Sequence, residues 1–226
     1  EINKMNSNPL KEKLQGYEAV IFDLDGTLVD SMWMWKEIDR EYLANFGIEL
    51  PDTLQKEIEG MGLNETAVYF KEKFGITDTV EKMRSDWISM ALYKYRHEVP
   101  MKPGAQRFLS YCMEKGIKLG IATSNSLELV DQIEEAHHLK DYISCIVTGC
   151  QVENCKPAPD IYLAAAKRLH TDPKKCLVFE DIIPGIMAGK AAGMSVCAVW
   201  DKYSEKDWDE KVKTADFSLR SYEEIL

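Results

Sequence analysis

A chain of 226 residues, 45% hydrophobic and 29% charged, is long enough for one large domain or for a core with a small insert. Its net charge of -10 argues against nucleic acid and anionic membranes as main partners, and no run approaches the length of a membrane span. A phosphorylated ligand, itself an anion, would need local positive charge from a metal ion, a lysine or helix N-termini.

Residues 1–16 are polar, lack an apolar signal core and read as a loose arm. The run Ala19-Val20-Ile21-Phe22 reads as a buried strand, from about Glu18 to Phe22, and it ends abruptly in acid. Asp23 and Asp25 are two residues apart, so at a strand end both carboxylates can point into one space, and Gly26 then permits a tight turn. A hard cation such as Mg²⁺ relieves the repulsion between two such carboxylates. One carboxylate can act as a nucleophile while its neighbour gives or takes a proton. The structural alternative is a solvated Asp-x-Asp turn; a calcium loop is disfavoured because Gly26 comes too early and Leu24 and Leu28 are apolar.

From Met32 to His97 the pattern is helical throughout. Trp33, Ile38, Tyr42, Leu43 and Phe46 fit one helical face stopped by Gly47, and Leu54, Ile58 and Met61 fit a second helix broken by Gly60 and Gly62. Asn64 is expected to cap a third, ending at Gly75, and Asp78 to open a fourth. Four helices between one strand and the next suggest an inserted bundle over residues 31–98, flanked by a core made of residues 17–30 and 99–226. Met32-Trp33-Met34-Trp35 concentrates apolar bulk beside the first strand end; Trp33 and Met34 fit bundle packing, and Trp35 is a candidate to bound a leaving group.

Beyond Met101 helices and strands alternate. Pro103 suits the first turn of a helix ending before Gly116, and Ile117 to Thr123 forms a strand that ends in hydroxyls. A helix from Ser126 to His138, with the two histidines at its end as surface residues or caps, leads to a strand over Ile143 to Val147. Asp160 to Leu169 is a helix, Cys176 to Phe179 a strand ending in Glu180-Asp181, and Pro184 to Ala192 a helix closed by Gly193. Strands over Ser195–Val199 and Ala215–Leu219 complete the set. This alternation specifies an α/β class, a doubly wound, Rossmann-like parallel sheet with an inserted helical cap. Cys145, Cys176 and Cys197 fall in apolar strands, and Cys150 and Cys155 lack zinc spacing, so all six cysteines, Cys112 included, read as reduced thiols of a cytoplasmic protein.

In such sheets, sites form at the carboxyl ends of the strands. Three strand ends carry polar residues: Asp23/Asp25, Thr123-Ser124-Asn125 and Glu180-Asp181. At a helix start, Thr123, Ser124 and Asn125 suit a phosphate, or else Asn125 or Ser126 simply caps the helix. Lys156-Pro157-Ala158-Pro159 is a stiff loop able to hold a lysine against developing negative charge. Glu180 and Asp181, buried at a strand end, would be costly without a cation.

The ordered set of motifs carries a resemblance. Asp23-Leu24-Asp25-Gly26-Thr27-Leu28-Val29-Asp30-Ser31 resembles the first motif of the haloacid dehalogenase superfamily in its phosphatase branch. Thr123 resembles the second, Lys156 the third and Glu180-Asp181 the fourth, and Gly185 with Ala191-Ala192-Gly193-Met194 matches the segment that follows. The insert resembles the cap of the β-phosphoglucomutase-like subfamily. The resemblance spans Tyr17 to the C-terminus and departs at Ile182, where small residues are common.

It implies that Asp23 attacks phosphorus, forming an aspartyl-phosphate, and that Asp25 protonates the leaving oxygen and then activates water. It implies Thr123 and Lys156 on the phosphoryl oxygens, with Gly26, Ser124 and Asn125 close by. Mg²⁺ would be held by Asp23, Asp181 and the carbonyl of Asp25, with Glu180 adjacent, and Asp30 would be the hinge to the cap. An acid at Asp25 separates the chain from dehalogenases of the superfamily, and no cap lysine stands out for a phosphonate-type Schiff base. The expected activity is Mg²⁺-dependent hydrolysis of a small phosphorylated metabolite by a protein for which nothing demands more than a monomer. A sugar-phosphate mutase is the alternative, but where that relative has a cap histidine twelve residues after the nucleophile this chain has Trp35, and the loop from Gly60 to Asn64 holds no arginine. A non-catalytic phosphate- or protein-binding module of the same fold is the alternative of another class, disfavoured because a binder has no use for Asp25.

Overall fold

The computed structural model describes residues 8–58, 61 and 63–226. In chain order the helices and strands are Pro9–Lys13 (α1), Ala19–Phe22 (β1), Met34–Ala44 (α2), Leu54–Glu57 (α3), Leu63–Phe74 (α4), Val80–His97 (α5), Ala105–Glu114 (α6), Lys118–Thr123 (β2), Leu127–His137 (α7), Cys145–Thr148 (β3), Asp160–Arg168 (α8), Cys176–Glu180 (β4), Ile183–Ala191 (α9), Ser195–Val199 (β5), Trp208–Thr214 (α10) and Phe217–Leu219 (β6). The chain divides into two compact units, one formed by the segment up to Met32 with Val99–Leu226, the other by Trp33–Glu98.

The first unit is built on a six-stranded, all-parallel sheet of order β3-β2-β1-β4-β5-β6. β1 is central and buried on both faces, which explains its unbroken apolar run. Side-chain alternation splits the core. Ala19, Ile21 and Val178 join one apolar layer, while Phe22 and Phe179 stack at 5.2 Å on the other face and meet Phe108 and Tyr222. The chain leaves β1 for β2 and β3 on one side, then returns to β4 on the other. The topological switch therefore lies between β1 and β4, where Phe22 pairs with Phe179. Asp23 and Glu180 follow at that crevice.

Residues 8–16 are not a loose arm: Asn8 caps α1, and Leu10 and Leu14, one helical turn apart, are both fully buried. The first seven residues lie outside the described residues. α6 starts at Ala105, so Pro103 precedes the helix rather than filling its first turn. Ser126, not Asn125, caps α7, and His138 closes it in the left-handed region at φ 54° while the His137 ring meets the Val99 carbonyl at 2.7 Å. Sequence patterning did not anticipate α10. All six cysteines are free thiols, and no helix among the described residues is long and apolar enough to cross a membrane.

The second unit packs α2, α4 and α5 around Tyr42, Phe70 and Trp87, whose rings meet edge-on at 5.5 and 5.3 Å. Met34 is buried and Trp33 half-buried, but Phe46 falls beyond the end of α2 and is 39% exposed, so it leaves the expected face. Thr79, extended at ψ 157°, caps α5 through the Lys82 N–H in place of the expected Asp78. Asn64 lies inside α4 instead of capping it. The expected break at Gly60 and Gly62 lies outside the described residues.

Candidate active site

The strand ends of β1 and β4 bring three carboxylates together. Asp23, Glu180 and Asp181, all buried, offer oxygens within 4.8 Å of one another. Lys156 reaches between two of them, donating to Asp23 Oδ1 at 2.7 Å, Glu180 Oε1 at 2.5 Å and, more weakly, the Ala122 carbonyl at 3.3 Å. Burial works against the Lys156 charge, but Asp23 and Glu180 more than offset it and hold the ammonium above its ordinary pKa.

Glu180 is saturated. It accepts from Lys156, from the Tyr162 hydroxyl at 2.7 Å and from the N–H groups of Asp181 and Ile182 at 3.1 and 3.4 Å. Burial and the Asp23 charge push its carboxyl up, opposed by Lys156 and Tyr162.

Asp181 differs. Its Oδ1 meets the Thr27 hydroxyl at 3.0 Å, and the same hydroxyl lies 3.1 Å from Asp23 Oδ2. One hydroxyl proton serves only one of them at a time. Asp181 Oδ2 is buried with no hydrogen-bond partner among the described residues. Burial, then the charges of Asp23, Glu180 and Asp201, drive its carboxyl well above the carboxylate range. A buried carboxylate oxygen facing other carboxylates, without a proton donor, fits a hard divalent cation. The site is shaped to leave that oxygen room: Gly26 turns at φ 79°, and a Cβ there would fall 2.3 Å from Asp181 Oδ2. From the far side, Ser204 donates to the Asp181 carbonyl at 3.3 Å and is itself held by the buried Lys211 at 2.6 Å.

The Asp25 carboxylate stands outside the three-acid cluster. Ser31 donates to Oδ1 at 2.6 Å and the Asn125 amide to Oδ2 at 3.1 Å. Because Ser126 takes the capping duty, Asn125 is available to reach across from β2 to β1. Thr123 is buried, its hydroxyl accepting from the Asn125 N–H at 3.1 Å, and Ser124 is exposed beside it. Thus Asp23, Asp25, Gly26, Thr123, Ser124, Asn125, Lys156, Glu180 and Asp181 converge at one end of the sheet. Trp35 belongs to the other unit, where it lines a half-open pocket of about 400 Å³. Thr27, Ser31 and Tyr162 complete the network without having been singled out from the sequence. Thr27 and Ser31 sit inside the acidic motif, and Tyr162 is hidden in the apolar stripe of α8.

An acid cluster and a lysine meet at the switch point of a doubly wound sheet, and comparison with known proteins says which family carries them here. The family model of haloacid dehalogenase-like hydrolases matches residues 20–199. A bifunctional riboflavin kinase/FMN phosphatase of Arabidopsis thaliana is 35% identical over 85% of this chain, which spans half of that relative's length. A phosphorylated carbohydrates phosphatase of Thermotoga maritima is 33% identical over 78% of this chain and 82% of its own. Among solved structures, one from Thermotoga maritima, provisionally named a β-phosphoglucomutase, superposes with a TM-score of 0.81 at 30% identity, covering 92% of this chain and 96% of that one. The chain belongs to the haloacid dehalogenase-like hydrolase family.

Proposed function

We propose that the protein is a Mg²⁺-dependent phosphomonoester hydrolase acting on a small phosphorylated metabolite, with Asp23 as nucleophile. The observation that carries this reading is Asp181 Oδ2, buried and without a hydrogen-bond partner among the described residues, in the acid cluster of Asp23 and Glu180 that Lys156 joins. Asp23, Asp181 and the backbone carbonyl of Asp25 would hold the ion. When bound it supplies the positive charge that lets an anionic ester approach three carboxylates.

The protein's own groups divide the remaining work. An Asp23 oxygen forms a bond to phosphorus as the ester oxygen leaves, giving an acyl phosphate on Asp23. Asp25, held in place by Ser31 and Asn125, gives its proton to the departing oxygen. It then takes one from the water that attacks phosphorus in the acyl phosphate and restores Asp23. Lys156, fixed by Glu180, neutralises the phosphoryl oxygens, and Thr123 and Ser124 at the entry to α7 offer hydrogen bonds to them.

Relatives named as phosphatases support hydrolysis over transfer back to substrate, as does an apolar Trp35 where a mutase carries a histidine. The test is release of inorganic phosphate from a panel of phosphomonoesters, with Mg²⁺ and with EDTA. Metal-dependent release, lost in Asp23→Asn, is expected. Release that survives EDTA or survives Asp23→Asn would overturn the reading.

A further inference from the structure

We infer that Ser204 and the buried Lys211 are positioning residues for Asp181. The Lys211 ammonium fixes the direction of the Ser204 hydroxyl, which clamps the Asp181 carbonyl and so aims the carboxylate oxygen left for a cation. For the identity of that cation the inference rests on the proposed function.

Asp181 has to be held from outside its own segment. β4 ends at Glu180 and α9 begins at Ile183, so Asp181 belongs to neither ladder. Its N–H meets Glu180 Oε2 at 3.1 Å, and among the described residues its carbonyl accepts only from Ser204, at 3.3 Å. The side chain is held loosely: Oδ1 shares the Thr27 hydroxyl with Asp23, and Oδ2 has no partner among the described residues. The aim of Oδ2 therefore depends on a fixed backbone at Asp181, and Ser204 supplies one of its two anchors.

Lys211 has no other evident use. It is fully buried in α10, yet it forms no ion pair among the described residues, and its one hydrogen bond goes to Ser204 Oγ at 2.6 Å. Asp201 is already engaged by Lys102 and by the Tyr203 N–H at 2.9 Å. Burial works against the Lys211 ammonium and lowers its pKa, the charges of Asp181, Asp201 and Asp207 favour it, and Lys102 opposes it. For packing alone, an apolar side chain of similar volume would spare the fold this desolvation. The ammonium offers something an apolar chain does not. It has three donors and no lone pair, so Ser204 Oγ has to accept from it, and the single Ser204 proton is left for the Asp181 carbonyl. The chain from Lys211 through Ser204 to Asp181 thus has one polarity, and each hydrogen bond polarises the next. Without Lys211 the Ser204 hydroxyl is free to turn away.

The experiment uses the full chain labelled with carbonyl-¹³C aspartate and ¹⁵N isoleucine. The Asp-Ile pair occurs only at Asp160-Ile161 and Asp181-Ile182, so two carbonyl resonances are read, the second identified by its loss in Ile182→Val. A lost hydrogen bond moves a carbonyl carbon upfield. The Asp181 resonance should move upfield in Ser204→Ala and in Lys211→Met, and keep its wild-type position in Ser204→Thr, which restores the hydroxyl. An unmoved Asp160 resonance reports an intact fold, and Lys211→Leu serves where Lys211→Met does not fold. Mg²⁺ affinity is measured by calorimetry without substrate, in Ser204→Ala, because loss of the Lys211 charge would itself favour a cation. It should weaken about tenfold there and recover in Ser204→Thr. An Asp181 resonance unmoved by the Lys211 substitution, even with a changed unfolding temperature, marks a lysine that serves only the fold and overturns the inference. Equal Mg²⁺ affinity in wild type and Ser204→Ala overturns it as well and leaves the proposed function standing. Wild-type protein that binds no Mg²⁺ overturns both.

Discussion

Gly185→Ala should destabilise the protein although it sits in a helix. Gly185 is the third residue of α9, where alanine ordinarily gains about 1 kcal/mol over glycine. A Cβ at this position, however, would lie 1.9 Å from both Cδ and Oε1 of Glu180 and 2.2 Å from Oε2. Glu180 cannot swing aside cheaply, because Lys156, Tyr162 and two backbone N–H groups hold its carboxylate in full burial. Overpacking costs about 1–3 kcal/mol and loss of a charged hydrogen bond about 1.5–3 kcal/mol. After the helix gain, a net loss of about 1.5–5 kcal/mol remains. For a chain of this length that lowers Tm by roughly 3–20 °C. The assay is thermal unfolding followed by circular dichroism, with phosphate release measured on the same samples. Release should fall as well, since a displaced Glu180 no longer fixes Lys156. A variant with unchanged or raised Tm and full activity would show that the Glu180 carboxylate does not occupy this space in the native protein.

Three further substitutions probe other parts of the structure. Thr27→Val removes the hydroxyl between Asp23 and Asp181 and should weaken Mg²⁺ binding about tenfold by calorimetry; unchanged affinity would dismiss its role. Leu14→Ala should cost about 2–5 kcal/mol in denaturant unfolding, because the side chain is fully buried, whereas a residue of a loose arm would cost nothing. Burial lifts the Asp39 carboxyl from 3.8 to about 6, so the native state binds this proton more tightly than the unfolded chain. Its contribution to stability is therefore complete below pH 3.8 and lost as pH rises through about 6, a difference of about 3 kcal/mol. Unfolding midpoints of Asp39→Asn against wild type should diverge in favour of the variant between these limits, and parallel curves would refute the assignment.

Much of this architecture is legible in the sequence because β1 and β4 are short apolar runs that stop at acids. A buried parallel strand leaves few other ways to read Val20-Ile21-Phe22-Asp23 or Val178-Phe179-Glu180-Asp181. What hides is whatever depends on register between distant segments. Tyr162 follows Ile161 in the stripe that buries α8, and only the approach of α8 to β4 turns its hydroxyl onto Glu180. Likewise Asn125 and Ser126 are equally good caps in sequence, and the choice of Ser126 frees Asn125 for Asp25. Leu10 and Leu14 are an i, i+4 pair among charges, too short a pattern to reveal packing. Asp39 reads as the polar neighbour of Ile38, and its burial emerges only when α2 and α5 close on it.

The most direct test of the central claim is to quench the enzyme with acid during turnover of a substrate found by the phosphate-release panel, and to map any phosphoryl group by mass spectrometry. A phosphoryl adduct on the peptide containing Asp23, present with Mg²⁺ and absent in Asp23→Asn, is the expected result. Turnover with no adduct on Asp23, or an adduct on another residue that persists in Asp23→Asn, would contradict it.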